Sequence, residues 1–140
     1  MFNLPLGFDK PEDNPGFLLW QTTALWQRHI KKALEPYDVS HAQFMIMITL
    51  MWFEVYHYDT TQALIVHWSQ LDNMTVSNSL TKLSGFHLIR RMEHATDTRA
   101  KAVVLTEKGK NLIRQLAPII ERIDQHFFVY SSLNEKQILI

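Results

Sequence analysis

The 140-residue sequence has no cysteine, only four glycines and a formal net charge of zero. Without cysteine, the chain has no disulfide framework, no thiolate redox sensor and no cysteine zinc site. None of the glycines belongs to a phosphate-binding loop or to the tight turn that presents a nucleophilic serine. The sequence supports no Ser-His-Asp set either, so we expect a protein that is not an enzyme and needs no cofactor.

Long hydrophobic runs are also missing. The most apolar stretch, residues 44–53, is about half the length that a membrane-spanning helix needs, so it predicts a buried core helix and no membrane segment. The first residues show no basic region followed by an apolar run, so we expect no signal peptide and a cytoplasmic protein. With 46% apolar residues, the chain is long enough for one domain with a core.

Histidine is the residue type that raises the question of a metal centre. The seven histidines are His29, His41, His57, His67, His87, His94 and His126. They show neither an HExxH motif nor paired spacing at i and i+4, so we interpret them as surface or capping residues and expect no metal site. A metal-responsive regulator is kept as an alternative that bound zinc would support.

The first helix is indicated by Asn14 and Pro15, which suit the N-cap and the first helical position. Apolar residues then recur on one face as far as Pro36, which disfavours helical geometry in the residue before it. The pattern predicts an amphipathic helix over residues 14–35. Residues 1–13, with two prolines and mixed polarity, are expected to form an irregular arm.

A second and a third helix are predicted by capping residues. Ser40 and Gln43 have the spacing of a capping box, and the helix that follows is apolar all round, as a central core helix would be. Asp59 or Thr60 is expected to cap a short third helix that ends near residue 69.

A fourth helix is expected after a tight connection, capped by Asp72 or Asn73. Val76, Leu80 and Leu83 lie four and three residues apart, which predicts one buried face. The other face carries Thr75, Ser77, Asn78, Thr81 and Lys82. Such side chains suit contacts with base edges and phosphates, although alone they are also typical of a solvated helix face.

A hairpin pattern follows, with strands at residues 88–95 and 100–105 around a polar tip at residues 96–99. Helix, turn, helix and hairpin in this order are typical of a winged helix-turn-helix, which places its second helix in the DNA major groove. Arg99 at the tip is expected to enter a minor groove, where arginine is favoured. The alternative for Arg99 is a surface ion pair of little energetic weight.

Two segments give this order a family resemblance. Residues 97–101 (Asp-Thr-Arg-Ala-Lys) and residues 105–109 (Leu-Thr-Glu-Lys-Gly) resemble the wing signature of MarR-family transcription regulators. Residues 75–77 resemble the start of that family's recognition helix, and residues 88–91 its first wing strand. The resemblance covers the chain from about residue 15 to residue 137.

The resemblance implies a mainly α fold with a small β-hairpin wing. Residues 14–35 and 107–140 would be dimerisation helices, and residues 36–106 would form the winged helix-turn-helix lobe. Residues 107–130 keep helical spacing, Pro118 is expected to kink this helix, and Asn134 with Gln137 is expected to start one more short helix.

The resemblance also implies a function: a homodimeric regulator that binds a pseudo-palindromic operator in double-stranded DNA, acting as a repressor that a small ligand releases. Such ligands, often apolar or aromatic acids, would lodge between the dimer helices and the lobe. Aromatic side chains that could line this cavity, if they are not core residues, are Trp20, Trp26, Phe44 and Trp52. The expected DNA-binding residues are Thr75, Val76, Ser77, Asn78, Ser79, Thr81, Lys82, Arg90, Arg91, Asp97, Arg99 and Lys101.

Departures from the family pattern support a second hypothesis. Asn78 stands where many relatives carry a basic residue, and the net charge of zero is unusual for a DNA-binding protein. His87 stands where a glycine usually leaves the helix with positive φ, which a histidine adopts at some cost. The second hypothesis is therefore a winged-helix module that binds another protein and has lost DNA binding.

Overall fold

The computed structural model of the chain describes residues 5, 7, 10–93 and 101–139, with residues 93, 101 and 129–139 described by their backbone alone. Within these ranges the α-helices and β-strands are α1 (Pro15–Leu34), α2 (His41–Tyr56), α3 (Gln62–Ser69), α4 (Asn73–Gly85), β1 (Ile89–Glu93), β2 (Lys101–Leu105) and α5 (Glu107–Leu139). This confirms the predicted fold class. In the same ranges, no helix combines the length and hydropathy needed to cross a membrane.

Helix α1 starts as predicted. The Asn14 side chain accepts a hydrogen bond from the Phe17 backbone N–H at 3.0 Å, and Pro15 takes the first helical position. The helix ends at Leu34, and the 3-10 helix that follows contains Pro36. Only its last part is buried in the core, so the apolar side chains of the first turns are left exposed.

Helix α2 is the centre of the core. Its predicted capping box is present, since Ser40 Oγ accepts from the Gln43 N–H at 3.1 Å and Gln43 Oε1 accepts from the Ser40 N–H at 3.0 Å. The helix contacts every other α-helix of the described ranges and also β2. Its last turn is less buried than predicted, because Trp52 and Tyr56 are exposed.

The predicted cap of α3 was wrong by one residue. Thr61, rather than Asp59 or Thr60, accepts the capping hydrogen bond, from the Leu64 N–H at 3.3 Å. The reason lies outside the local sequence. The Thr60 carbonyl accepts a hydrogen bond from the Val103 N–H at 2.7 Å, so this segment is extended beside β2 and the helix starts later.

Strands β1 and β2 form an antiparallel hairpin, in which Ile89 lies opposite Leu105 and Glu93 opposite Lys101. Ile89, Val103 and Leu105 are buried. One hydrophobic cluster joins these strands to α2, to the end of α1 and to the first half of α5. The lobe and the flanking helices therefore share a core.

Helix α5 is continuous from Glu107 to Leu139 and passes through Pro118. The predicted new helix start at Asn134 was therefore wrong. Asparagine caps a helix only where the chain enters it from extended geometry, and the preceding residues are already helical here. The division into dimerisation helices and a DNA-binding lobe stays a prediction.

Candidate DNA-binding site

Asp72, one of the two predicted caps, holds the N-terminus of α4. Its Oδ1 accepts a hydrogen bond from the Thr75 backbone N–H at 2.7 Å, and its Oδ2 accepts one from the Thr75 hydroxyl at 2.9 Å. The backbone bond, and after it the hydroxyl bond, lower the pKa of Asp72 because they favour the ionised carboxylate. Beside it, Gln62 Nε2 donates to Asn73 Oδ1 at 3.0 Å and ties the start of α3 to the start of α4.

One face of α4 packs into the core as the spacing predicted, with Val76, Leu80 and Leu83 fully buried. Ser79 lies on the same face and is 6% exposed. Val76 and Ser79 were expected to contact DNA, but both side chains are covered within the subunit. The residue spacing that buries Leu80 and Leu83 also turns these two positions inward.

The opposite face of α4 is open. Asn78, Thr81 and Lys82 are exposed, and Thr75 and Ser77 are half-buried. The Thr81 hydroxyl donates a hydrogen bond to the Ser77 carbonyl at 3.1 Å. This face therefore offers one amide, three hydroxyls and one ammonium group to a partner.

Strand β1 carries two exposed arginines, and one of them reaches this face. Arg90 and Arg91 are exposed, and Arg91 Nη2 lies 3.4 Å from the Ser77 carbonyl of α4. Their guanidinium groups supply positive charge that α4 has only at Lys82. Lys101 lies opposite Glu93 in the hairpin, with its side chain outside the described atoms. Asp97 and Arg99 lie outside the described residues.

A residue in the left-handed conformation follows the end of α4. Helix α4 ends at Gly85, and His87 has a φ of 60°, as expected for the position where relatives have glycine. The N–H of Leu88 then donates to the Leu83 carbonyl at 3.0 Å. The chain thus turns sharply out of α4 and enters β1.

The start of α5 closes on this turn through contacts of Thr106, Lys108 and Gly109, here called the α5 clasp. The Thr106 hydroxyl donates to the His87 carbonyl at 2.7 Å and accepts from the Gly109 N–H at 3.0 Å. Lys108 Nζ donates to the Phe86 carbonyl at 2.8 Å.

Glycine is required at one position of the α5 clasp. A Cβ on Gly109 would lie 2.2 Å from the carbonyl oxygen of Leu88, which is backbone and cannot move aside. Thr106, Lys108 and Gly109 belong to the segment that carried the family resemblance. Their physical role is to hold the exit of α4 against α5.

A cavity of about 890 Å³ lies between α1, the start of α2 and the end of α4. Its charged lining is balanced, with Lys31 of α1 and Lys82 of α4 as cations and Glu35 and Asp38 as carboxylates, and Trp26 and Phe86 supply aromatic surface. Of the four aromatic residues proposed for such a cavity, Trp26 lines this one. Phe44 is buried in the core, and Trp20 and Trp52 are exposed on the surface.

The cavity also meets the joint between α1, α2 and α5. His41 lines it and packs edge-on against Trp26, with ring centroids 5.0 Å apart. Trp26 Nε1 donates to Asp124 Oδ1 of α5 at 2.8 Å. Burial lowers the pKa of His41, and the nearby Asp124 carboxylate opposes this shift. The sequence analysis interpreted His41 only as a surface or capping residue, because the residues that surround it come from distant segments. Within the described ranges, no three His, Asp or Glu side chains are grouped to hold a metal ion.

Comparisons with known proteins agree with this architecture. Residues 35–122 match the family model described as "ArnR1-like, winged-helix domain". The chain is 35% identical over 128 residues to the uncharacterized HTH-type transcriptional regulator YdcH of Bacillus subtilis (strain 168), covering 91% of this chain and 87% of that protein. The structure of apo MarR from E. coli superposes with a TM-score of 0.76 at 18% identity, covering 90% of this chain and 93% of MarR. The chain belongs to the MarR family of winged-helix transcriptional regulators.

Two further solved structures are similar to this MarR-family regulator. The MepR–DNA complex of S. aureus matches with a TM-score of 0.78 at 25% identity, covering 90% of this chain and 92% of MepR. CouR from Rhodococcus jostii RHA1, bound to p-coumaroyl-CoA, matches with a TM-score of 0.79 at 18% identity, covering 94% and 92%. Proteins of this family regulate transcription and are not enzymes, which agrees with the expectation from the sequence.

Proposed function

We propose that this regulator is a homodimeric, cytoplasmic repressor that binds a pseudo-palindromic DNA operator and is released by a small ligand. The observation that carries the proposal is the shared surface of α4 and β1. There Arg91 reaches the Ser77 carbonyl on the polar face of α4, and Arg90 is the exposed residue before it in β1. The similarity to MepR, whose structure is that of a DNA complex, supports DNA as the partner.

The proposed contacts divide into two kinds. Thr75, Ser77, Asn78 and Thr81 carry neutral hydrogen-bonding groups that suit base edges in the major groove. The cationic side chains would attract phosphates or enter the minor groove at the wing: Lys82, Arg90, Arg91, Arg99 and Lys101. Asp97 would hold the shape of the wing by resemblance to the family. Val76 and Ser79 are left out because they are buried.

A second copy of the chain would cover the exposed apolar surface of the terminal helices. Leu19 is 68% exposed and Trp20 is 74% exposed, on the half of α1 that the core does not reach. Apolar surface of this kind marks an interface. A two-fold dimer would present two α4 helices to half-sites about one helical turn apart.

The cavity supports an apolar or aromatic acid as the effector. Its volume of about 890 Å³ falls in the usual range for ligand pockets. Trp26 and Phe86 would pack against the apolar part, while Lys31 or Lys82 would pair with the carboxylate at the side of the cavity away from Glu35 and Asp38. Lys82 also belongs to the proposed DNA surface, so an acid that pairs with it would compete with phosphate. The structure of CouR with p-coumaroyl-CoA supports a small-molecule ligand.

DNA binding and its salt dependence test the proposal. Duplexes from the DNA flanking the gene would be titrated by fluorescence anisotropy at several salt concentrations. The double variant Arg90→Ala and Arg91→Ala should weaken binding to all sequences and reduce the salt slope of the dimer by about 4, since two phosphate contacts are lost in each of the two subunits. Arg28→Ala removes the same kind of charge from an exposed site on α1 and serves as control. Wild-type protein that binds no duplex in a salt-dependent manner would favour the protein-interaction module instead.

A further inference from the structure

The Thr75 hydroxyl group already donates its only proton to Asp72. It lies 2.9 Å from Asp72 Oδ2, and an ionised carboxylate can only accept hydrogen bonds. The proton between these two oxygens must therefore come from Thr75. The direction of this bond follows from the chemistry of the partner, so it does not depend on where a hydrogen atom is placed. What Thr75 can offer to another molecule is the lone pairs of its hydroxyl oxygen.

This commitment excludes phosphate as a hydrogen-bond partner of Thr75. A phosphate oxygen has no proton to donate, and it would approach both an oxygen lone pair and the negative charge of Asp72. The acceptor atoms of the major groove, which are N7 and O6 of guanine, N7 of adenine and O4 of thymine, are excluded for the same reason. The donors left in that groove are the exocyclic amino groups of adenine and cytosine.

We propose that Thr75 is a specificity-determining residue that accepts a hydrogen bond from the N6 amino group of adenine or the N4 amino group of cytosine. Asp72 acts as a positioning residue, because it fixes which way the Thr75 hydroxyl points its proton. This rests on the proposed function, since it requires that α4 lies in the major groove. It adds to that function the chemical class of base edge that one residue reads.

Thr81 shows the same chemistry with a weaker constraint. Its hydroxyl donates to the Ser77 carbonyl at 3.1 Å, and a carbonyl oxygen also only accepts. This bond to the residue four positions earlier is common for threonine inside helices. At Thr75 the partner is a charged carboxylate, and a second hydrogen bond, from the Thr75 backbone N–H, holds that carboxylate in place.

The test starts with a duplex library of randomised base pairs, from which the wild-type protein selects its preferred sequence. In the selected duplex, each adenine is replaced in turn by purine and each cytosine by 2-pyrimidinone, which lack the exocyclic amino group. The wild-type protein should lose roughly five- to tenfold in affinity at one position in each half-site, as expected for one hydrogen bond. Thr75→Val should bind the natural and the substituted duplex equally at that position, and Thr75→Ser should still distinguish them.

A second variant reverses the direction of the hydrogen bond between the side chains of residues 72 and 75. Asp72→Asn keeps a carbonyl oxygen for the Thr75 backbone N–H, and asparagine caps helices as well as aspartate does. Its amide nitrogen donates to the Thr75 hydroxyl, which frees the Thr75 proton. The preference at that position should then move to a base with an acceptor in the same place, guanine or thymine. The preference ratio is measured rather than affinity alone, because removing one negative charge strengthens binding to every sequence.

The outcomes separate the two proposals. If the wild-type protein selects no sequence, both DNA reading and the role of Thr75 are overturned. If it selects a sequence but Thr75→Val tells natural from substituted duplexes as the wild type does, the role of Thr75 alone is overturned. An unchanged base preference in Asp72→Asn would overturn the proposal that Asp72 fixes the direction in which the Thr75 hydroxyl donates its proton.

Discussion

The core side chains of the lobe, from α2 to the hairpin, are buried. The apolar side chains in the first turns of α1 are exposed. In the lobe, Phe53, Ile65 and Leu80 are at most 1% exposed. In α1, Leu19 and Trp20 remain mostly exposed, although they have the same kind of side chain. The lobe thus buries these side chains in the core that it shares with the end of α1 and the first half of α5, whereas the start of α1 leaves its apolar side chains exposed in the single chain. The comparison predicts that substitutions in the two regions fail in different ways.

The largest effect is expected at the α5 clasp, where the lobe meets the start of α5. Gly109→Ala puts a Cβ within 2.2 Å of the Leu88 carbonyl oxygen, so the backbone must shift or the clasp must open. We expect a loss of about 3 kcal/mol or more in the free energy of unfolding, measured by urea denaturation, as for other severe steric substitutions. Gly85→Ala is the matched control, because a Cβ there meets no atom within 4 Å. Equal stability of the two variants would mean that α5 does not close on Leu88 as described.

An intermediate effect is expected in α1, on assembly rather than on folding. The double substitution Leu19→Ser and Trp20→Ser removes apolar side chains that one chain leaves exposed. The dimer should weaken by roughly a hundredfold in Kd, as expected when anchor residues of an interface are truncated. Light scattering over a concentration series measures this, and the circular dichroism spectrum should keep its helical signal. Trp52→Ser and Val55→Ser remove exposed apolar surface from α2 and should leave the assembly unchanged. A dimer that survives the α1 change would place the interface elsewhere.

The smallest effect is expected where the two regions meet, at His41. Its pKa is lowered by burial, so the unfolded chain binds a proton more readily than the folded chain. Stability should therefore fall as pH falls from the ordinary histidine pKa of about 6.5 through the lower folded value. In His41→Gln this part of the pH dependence is absent, while the other histidines still contribute. Urea denaturation of both proteins between about pH 7.5 and pH 5 compares the slopes. Parallel slopes would show that His41 is not buried as described.

The sequence predicted what depends on neighbours along the chain. The caps at Asn14, Ser40 and Asp72 and the buried stripe of α4 follow from spacings of three and four residues, and all are confirmed. The Asp72 cap lies three residues before Thr75, so that contact was also within reach of the sequence. The choice of Asn78 and Lys82 as exposed positions follows from the same helical period.

What the sequence could not predict depends on contacts between distant segments. The start of α3 moved to Thr61 because Thr60 pairs with Val103, more than forty residues away. The environment of His41 is made by Trp26 and Asp124 from two other helices. Ser79 was listed among the expected DNA contacts, although its position between Val76 and Leu83 places it on the buried face. The DNA contacts themselves stay predictions.

The hydrogen bonds of the α5 clasp join the turn after α4 to the start of α5, so we expect these two segments to move together. Helix α5 has 33 residues, so it is about 50 Å long, and the clasp lies at one end of it. A lever of this length converts small angles into large displacements: a tilt of about 5° moves a point 30 Å from the pivot by roughly 2.6 Å. That shift is about three-quarters of a base-pair rise, so in the proposed dimer a small change in how two α5 helices cross would put the two α4 helices out of register with successive turns of DNA.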